Sequence, residues 1–208
     1  MTAVFLNVQC DKKNEKYKII VSLHSKYIVM RIIGHHTCSK HGTISDIERN
    51  GPFLSTYVEK DNKQHKFLGT GYYFWDNNIG MAHAHGQKNY KRKYYIFQSE
   101  LELETDIFLD LVGNRIDMLW FQEIMKRFEH IKEVEDWTIG SFIEFLKKRG
   151  FFKHKAIRAI DNSIDPKEII KFIDNRDNFT NLNPVFIVCL LEINDTLLKS
   201  FTHLKTFP

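Results

Sequence analysis

Cysteine and proline are both scarce in this chain, which has three Cys and four Pro among its 208 residues. The cysteines, Cys10, Cys38 and Cys189, are odd in number and widely spaced, which excludes a disulfide framework and indicates a reducing compartment. With only ten Gly as well, the chain has no low-complexity linker and no internal repeat. These absences predict one domain that spans residues 1–208.

Long apolar runs are absent too. No stretch of about 18 apolar residues occurs, so we expect no membrane span. Residues 1–10 lack the basic region and the apolar stretch of a signal peptide, and charged residues follow at once. We therefore expect a cytoplasmic protein, or one that is delivered into a target cell without a classical signal peptide.

Apolar residues are plentiful overall, and charge is nearly balanced. Hydrophobic residues make up 43% of the chain and Phe occurs 17 times, which excludes wholesale disorder and favours an aromatic-rich core. The net charge of +4 permits contact with nucleic acid or another polyanion but does not require it.

Hydrophobic periodicity predicts an α+β fold with an antiparallel or mixed sheet, because strands occur at both ends of the chain and helices lie between them. The predicted strands cover residues 17–23, 27–34, 72–75, 94–103, 107–111, 155–160 and 184–193. The predicted helices cover residues 43–49, 78–85, 117–128, 138–148 and 166–173, with Asp76 as the cap of the second.

Two short segments carry the residues from which a function can be argued. The first, His35-His36-Thr37, follows a predicted strand, and clefts form at the edges of sheets. Imidazole and hydroxyl groups there are good partners for ribose hydroxyls and amides. The second is the Gly-Thr-Gly-Tyr-Tyr-Phe segment at residues 69–74, where glycines allow a close approach of the backbone to a ligand and aromatic rings can stack on a flat heterocycle. Each segment alone is more typical of structure than of catalysis, so their order and spacing carry the functional prediction.

In this order the two segments resemble the ADP-ribosyltransferase superfamily, in particular its His-Tyr type, which includes poly- and mono-(ADP-ribose) polymerases and many bacterial toxin domains. That family has a His-Gly-Ser/Thr strand end, a helix that ends near a Gly, and a later Gly-x-Gly strand with a central Tyr. Here these parts correspond to His35-His36-Thr37, the predicted helix before Gly51, and residues 69–74. A helix with small residues at 80–86 and a Leu-Asp-Leu segment within 101–111 extend the resemblance, which covers residues 28–112.

The resemblance implies a split antiparallel or mixed α+β sheet of ADP-ribosyltransferase type with a helical insertion near residues 115–150. It implies an enzyme that uses NAD as a substrate and moves one ADP-ribose unit to a macromolecular acceptor, either protein or nucleic acid. A toxin or defence effector is the setting that the resemblance implies, and such a protein would have an antitoxin or inhibitor as a partner.

The family's functional residues can be carried over position by position. His35 would bind the adenosine-side ribose, the backbone of His36 would pair with the nicotinamide carboxamide, and Thr37 would support the ribose. Tyr73 would stack on the nicotinamide ring while positive charge develops on the ribose. The residues that the resemblance places at the NAD site are His35, His36, Thr37, Gly71, Tyr72 and Tyr73.

Two positions depart from the family pattern. His36 stands where the family has Gly, and if the register shifts by one residue, His36 becomes the functional imidazole. The family's catalytic Glu, near the start of a late strand, corresponds to the apolar Val185. Its loss favours single transfer over polymer formation. Among other carboxylates, Glu100 is the first candidate for a catalytic role, and Glu192 is not assigned one.

A metal site is the first alternative. His35, His36, Cys38 and His41 are four possible zinc ligands within seven residues. Neighbouring side chains on a strand point to opposite faces, however, and no second Cys pair completes a tetrahedral set. A nucleophilic Cys38 beside a histidine is a further alternative, but no motif supports it.

Binding without catalysis is the remaining alternative, to NAD or to nucleic acid. Residues 88–95 (KNYKRKYY) interleave basic and aromatic side chains, as single-strand stacking surfaces do. The RNA phosphotransferase branch of the same fold normally has extra arginines in its cleft, and Arg31, Arg49 and Arg158 fit that pattern poorly.

Overall fold

The computed structural model describes residues 28–56, 67–91, 93–130, 138–161 and 184–208, together with the backbone of four short strands. These four strands form two antiparallel hairpins: β1 (Asn7–Asp11) pairs with β2 (Lys16–Ile20), and β8 (Ile169–Lys171) pairs with β9 (Phe179–Asn181).

A mixed sheet of seven strands forms the centre of the molecule. Its strands are β3 (Val29–Ser39), β4 (Tyr72–Asp76), β5 (Tyr94–Glu104), β6 (Phe108–Asp110), β7 (Ala156–Ile160), β10 (Phe186–Leu190) and β11 (Leu198–Phe207). Their order across the sheet is β11-β5-β3-β4-β10-β7-β6. All neighbours are antiparallel except β6 and β7, which are parallel. The predicted α+β class with a mixed sheet is confirmed.

The described residues include four helices: α1 (Ile44–Asn50), α2 (Ile79–Tyr90), α3 (Arg115–Phe128) and α4 (Ile139–Lys148). Each begins after a polar residue whose side-chain oxygen accepts a hydrogen bond from a first-turn backbone N–H. These caps are Thr43, Asn78, Asn114 and Thr138. The last two helices lie between β6 and β7, where the helical insertion is predicted. None of the helices in the described part of the chain is long and apolar enough to cross a bilayer.

Several predicted elements need correction. Asp76 does not cap α2, because it is the last residue of β4, and Asn78 accepts the bond from Met81 N instead. The helix predicted at 166–173 is wrong at Ile169–Lys171, which form β8, and the β-branched pair there favours an extended backbone. The rest of that predicted helix lies outside the described residues, as do residues 21–23 and 27 of the predicted strands.

The most consequential correction concerns β3. The sequence predicts that this strand ends at Gly34, but it continues through His35, His36 and Thr37 to Ser39. Pairing with β5 runs along its whole length, from Val29 opposite Glu104 to Ser39 opposite Tyr94. The His-His-Thr segment is therefore inside a strand rather than at its end.

Alternation along the strands gives the sheet two apolar faces. On one face α3 and α4 cover the strands β4, β10, β7 and β6, with Ile143, Leu146, Ile157 and Cys189 fully buried. On the same face α2 covers β3 and β5 through Ala82, Tyr94 and Ile96. The opposite face carries a second cluster around Ile32, Phe74, Leu101, Phe108 and Val188, and α1 covers its end through Ile47.

The sheet splits between β3 and β4. These neighbours pair at only two positions, Gly34 with Asp76 and His35 with Trp75. Beyond His35, β3 stays paired with β5, and β4 stays paired with β10 through Tyr72. An opening in the sheet results, and it lies between the two segments that carry the predicted function.

Candidate functional site

A cavity of about 540 Å³ occupies the opening between β3 and β4. This size is in the range of small-molecule binding sites. Its lining is mainly apolar and aromatic, with polar side chains concentrated along β3. The residues that line it are His36, Thr37, Cys38, Ser39, His41, Phe53, Leu54, Ser55, Phe67, Tyr73, Phe74, Trp75, His85, Tyr90 and Ile187.

His36 explains why the strands separate. Extending the register of the two paired positions would place Thr37 opposite Tyr73 and give the Tyr73 carbonyl a backbone donor. Instead, this carbonyl bonds His36 Nδ1 at 2.9 Å. The imidazole thus occupies the position of a ladder hydrogen bond and lies between β3 and β4, against Phe74 and Phe201.

The protonation state of His36 follows from its burial. Only 7% of the residue is exposed, and removal from water lowers the pKa of its imidazole to about 4, although the bond to Tyr73 opposes the shift. The ring is therefore neutral at pH 7. A carbonyl oxygen only accepts, so Nδ1 must carry the proton, and Nε2 is left with a lone pair. Nε2 is buried and has no hydrogen-bond partner among the described residues.

Thr37 contributes its backbone to the cavity. Asn77 N donates to Ile33 O at 2.7 Å, so the backbone groups of Ile33 point toward β4. Because these groups alternate along a strand, those of Thr37 point the same way. No strand of the described residues pairs with Thr37 on that side, so its N–H and C=O face the opening. Its side chain points elsewhere and donates to Ala82 O at 2.7 Å, which ties α2 to the sheet.

Tyr73 presents its ring to the cavity while its hydroxyl is engaged behind it. The hydroxyl donates to Gly69 O at 2.5 Å and accepts from Leu68 N at 3.0 Å. Burial is the main cause that raises the pKa of Tyr73. Thr70 N in turn donates to Glu144 Oε1 at 2.7 Å, so the segment 68–70 is held between β4 and α4. The hydroxyl therefore positions a wall of the cavity, and the ring is the part that can stack on a ligand.

Gly71 and Tyr72, which the resemblance predicts to bind NAD, have other packing roles in the described part of the chain. Gly71 pairs with Ser55, and a Cβ at this position would collide with Cys189 Sγ, so close packing against β10 requires the glycine. Tyr72 packs with the apolar cluster around Ile32 and Phe74. Neither residue is among those that line the cavity in the described part of the chain.

His35 and Glu100 are also outside the lining that the structure describes. His35 is buried on the α2 side of β3, and burial lowers the pKa of its imidazole against the effect of a backbone hydrogen bond to Trp75. Glu100 is an exposed residue of β5, and its backbone N–H bonds Ser200 Oγ at 3.0 Å. The structure thus brings His36, Thr37 and Tyr73 together, and it leaves His35 and Glu100 apart from them.

Val185, which the resemblance aligns with a catalytic Glu, lies in an apolar setting. Val185 is buried next to the start of β10, and its carbonyl accepts from Asp161 N at 2.8 Å. Glu192 lies beyond the other end of β10 and forms an ion pair with Lys155 at 2.8 Å. None of the lining residues that the structure describes is an Asp or a Glu.

Most other lining residues were missed from the sequence. His85 and Tyr90 come from α2, which runs five residues beyond its predicted end. The signal available was the spacing of Ala82 and Gly86, since small residues four apart let a helix approach a sheet closely. A Cβ at Gly86 would collide with the ring of Tyr94. The other missed residues, Phe53 and Leu54 among them, stand in loops without a local pattern.

The alternative chemistries find little support at this site. Within the described residues no group of three or more His, Cys, Asp or Glu is arranged to hold a metal ion, and all four members of the candidate zinc cluster are described. Burial raises the pKa of the Cys38 thiol to about 11, so it stays protonated at neutral pH and is a weak nucleophile. Arg31 and Arg158 are paired with Glu102 and Asp76.

Comparisons of the chain with protein-family models, with curated proteins and with solved structures each found no match.

Proposed function

We propose that this protein is a mono-ADP-ribosyltransferase of the His-Tyr type, which binds NAD in the cavity between β3 and β4. It transfers one ADP-ribose unit to a macromolecular acceptor, on a sheet of ADP-ribosyltransferase type. The observation that carries the proposal is that two segments far apart in sequence, His36-Thr37 and Tyr73, line one cavity. A role as a toxin or defence effector with an inhibitory partner belongs to the same proposal.

The roles of the β3 residues shift by one position from the sequence-based prediction. His36 takes the role predicted for His35, because the neutral ring keeps Nδ1–H on Tyr73 O and leaves Nε2 to accept a bond from a ribose hydroxyl. Thr37 takes the role predicted for His36, because its backbone N–H and C=O match the acceptor and donor of a carboxamide. With this register, no bulky side chain stands where the family has Gly at the carboxamide.

The remaining contacts act on the nicotinamide. The Tyr73 ring lies in the lining beside Trp75 and Ile187, so a flat heterocycle can stack there out of water. In the reaction, the acceptor nucleophile bonds to C1′ of the nicotinamide ribose, and the bond from C1′ to nicotinamide breaks. The electron pair leaves with nicotinamide, which departs neutral, and the acceptor's proton goes to solvent. Holding ring and ribose in one pose lowers the entropic part of the barrier.

A second candidate function is binding of NAD without cleavage. It is favoured by the lack of any Asp or Glu among the lining residues in the described part of the chain. No side chain in that set can stabilise positive charge on the ribose with a full negative charge. The two functions differ in whether nicotinamide is released.

NAD labelled in its nicotinamide and NAD labelled in its adenylate separate these candidates. We expect wild-type protein to release nicotinamide, and His36→Asn and Tyr73→Ala to lower the rate by about 100-fold or more. His130→Gln, which removes an exposed imidazole that does not line the cavity, is the matched control and keeps the wild-type rate. Far-ultraviolet circular dichroism checks that each variant is folded.

The proposal of transfer fails if folded wild-type protein binds NAD but releases no nicotinamide, and the second candidate then takes its place. Both fail if NAD neither binds nor raises the melting temperature of the protein. If His36→Asn and Tyr73→Ala consume NAD at the wild-type rate, the assignment of the cavity is wrong.

A further inference from the structure

A cluster of lysines lies along one rim of the cavity. Between residues 77 and 99 the chain has Lys88, Lys91, Arg92 and Lys93 and no Asp or Glu. Residues 29–45 of β3 and the following turn also lack acidic residues, and they include Lys40. Among these lysines, Lys88, Lys91 and Lys93 are exposed.

Backbone contacts join these lysines to the cavity. Lys40 stands between Ser39 and His41, which both line it. Lys40 N donates to Lys93 O at 3.4 Å. Lys93 N donates to Tyr90 O at 2.9 Å, and Tyr90 is another lining residue. The loop after α2 is therefore fastened to the end of β3, and its lysines are neighbours of residues that line the cavity.

The charges at this rim are not neutralised within the described residues. No ion pair there involves Lys40, Lys88, Lys91 or Lys93. Lys40 Nζ lies 5.4 Å from the centre of the Tyr95 ring, so its contact is with an aromatic face. A cluster of unpaired lysines beside aromatic surface attracts a polyanion with flat groups.

We infer that this lysine rim binds single-stranded nucleic acid and presents a nucleotide of it to the cavity as the acceptor. The inference rests on the proposed transfer of ADP-ribose and names its acceptor. Phosphates would lie along Lys88, Lys91 and Lys93, while an unpaired base enters the cavity past the aromatic rings of Tyr90 and Phe53, which both line it. Phe53 is 42% exposed, which leaves its ring accessible to such a base.

A single strand fits this arrangement better than a duplex. The acceptor atom must reach the ribose inside a cavity of about 540 Å³. A base in a duplex would first have to leave its stack, which costs a few kcal/mol. An unpaired nucleotide avoids that cost, and aromatic side chains stack on any base regardless of sequence.

The test measures binding and transfer separately. Binding of a fluorescent 20-nucleotide single-stranded DNA and of the corresponding RNA is measured without NAD, at several salt concentrations. The test variant combines Lys88→Gln, Lys91→Gln and Lys93→Gln. The matched control combines Lys126→Gln, Lys148→Gln and Lys153→Gln, which removes three exposed lysines away from the cavity.

We expect the wild type and the control variant to bind the oligonucleotide alike, and the rim variant to bind at least about 10-fold more weakly. Removing one lysine that binds a phosphate lowers the salt slope of binding by about 0.7, so the rim variant's slope is smaller by about 2. With labelled NAD, label appears on the oligonucleotide with the wild type and the control but not with the rim variant. Nicotinamide release without oligonucleotide stays at the wild-type rate in all three.

Three results overturn the inference. If oligonucleotide binding is weakened equally in the rim variant and the control variant, binding depends on net charge and not on a site at the lysine rim. If the protein prefers a duplex of the same length, the single-strand geometry is contradicted. Label found on protein alone makes the acceptor a polypeptide. These results leave the proposed transfer standing, whereas lack of nicotinamide release refutes that transfer and leaves oligonucleotide binding to be judged on its own.

Discussion

Acid should destabilise this protein partly through a single imidazole. The pKa of His36 is lowered to about 4 from an ordinary 6.5, so between these values the unfolded chain binds a proton that the folded chain does not. Stability is therefore unaffected by this group above pH 6.5, and it falls as the pH drops from 6.5 to 4. One pKa unit corresponds to about 1.4 kcal/mol, so His36 alone removes about 2 kcal/mol of unfolding free energy by pH 5 and about 3 kcal/mol by pH 4.

The perturbation that isolates this effect is His36→Phe. It keeps a flat ring between Phe74 and Phe201 and removes the group that titrates. The bond to Tyr73 O is lost at every pH, which costs about 1 kcal/mol throughout and does not alter the pH dependence. Urea denaturation at pH 7, 6, 5 and 4 then gives the unfolding free energies of both proteins, and His130→Gln controls for removing one imidazole from the chain.

We expect the two curves to cross as the pH falls, because the wild type is about 1 kcal/mol more stable at pH 7 and loses about 2 kcal/mol more than His36→Phe between pH 7 and pH 5. The same titration followed by NMR gives the pKa of His36 directly. Parallel curves would show that the imidazole is not desolvated in the folded state. The neutral tautomer with Nδ1–H on Tyr73 O would then lose its basis, and the role proposed for Nε2 would fail with it.

Two further predictions concern packing around the site. Gly86→Ala should destabilise the protein by about 1–3 kcal/mol because the new Cβ meets the Tyr94 ring. Gly80→Ala on the same helix is the control: its new Cβ has Asn78 Oδ1 at 3.4 Å as its nearest neighbour, so it should be neutral or stabilising by up to about 1 kcal/mol. Equal stability changes for both variants in thermal unfolding would contradict close packing of α2 on the sheet. Tyr73→Phe should cost about 1–3 kcal/mol in urea denaturation because Gly69 O loses its donor and Leu68 N its acceptor, yet NAD binding should be retained because the ring remains. Loss of NAD binding in a folded Tyr73→Phe protein would instead place the hydroxyl in contact with the ligand.

The sequence by itself determined the class of fold and most of its elements. Alternation and period-3.6 patterns predicted seven of the strands and four of the helices, because each element buries one apolar face, although β3 and α2 each run five residues beyond their predicted ends. The helices predicted from Thr43 and Thr138 begin one residue later, because each Thr caps its helix, whereas the one predicted cap, Asp76, is replaced by Asn78. The sequence also singled out the two segments that line the cavity, since His, Thr and Tyr beside glycine are distinctive without any knowledge of contacts.

Only the tertiary structure decided which residues of those segments face the cavity. Whether His35 or His36 lies between the strands depends on the register of β3, that is, on which residues of β3 pair with its neighbours. A shift of this register by one residue exchanges every side chain between the two faces of the sheet. That register follows from the pairing of β3 with β5 and from the place where β4 departs, both of which are long-range contacts. The same applies to Gly71, which Cys189 requires to be small, and to His85, which reaches the cavity because Gly86 lets α2 approach the sheet. Sequence patterns report the face that an element buries, whereas the partner it meets there is set by the packing of the whole chain.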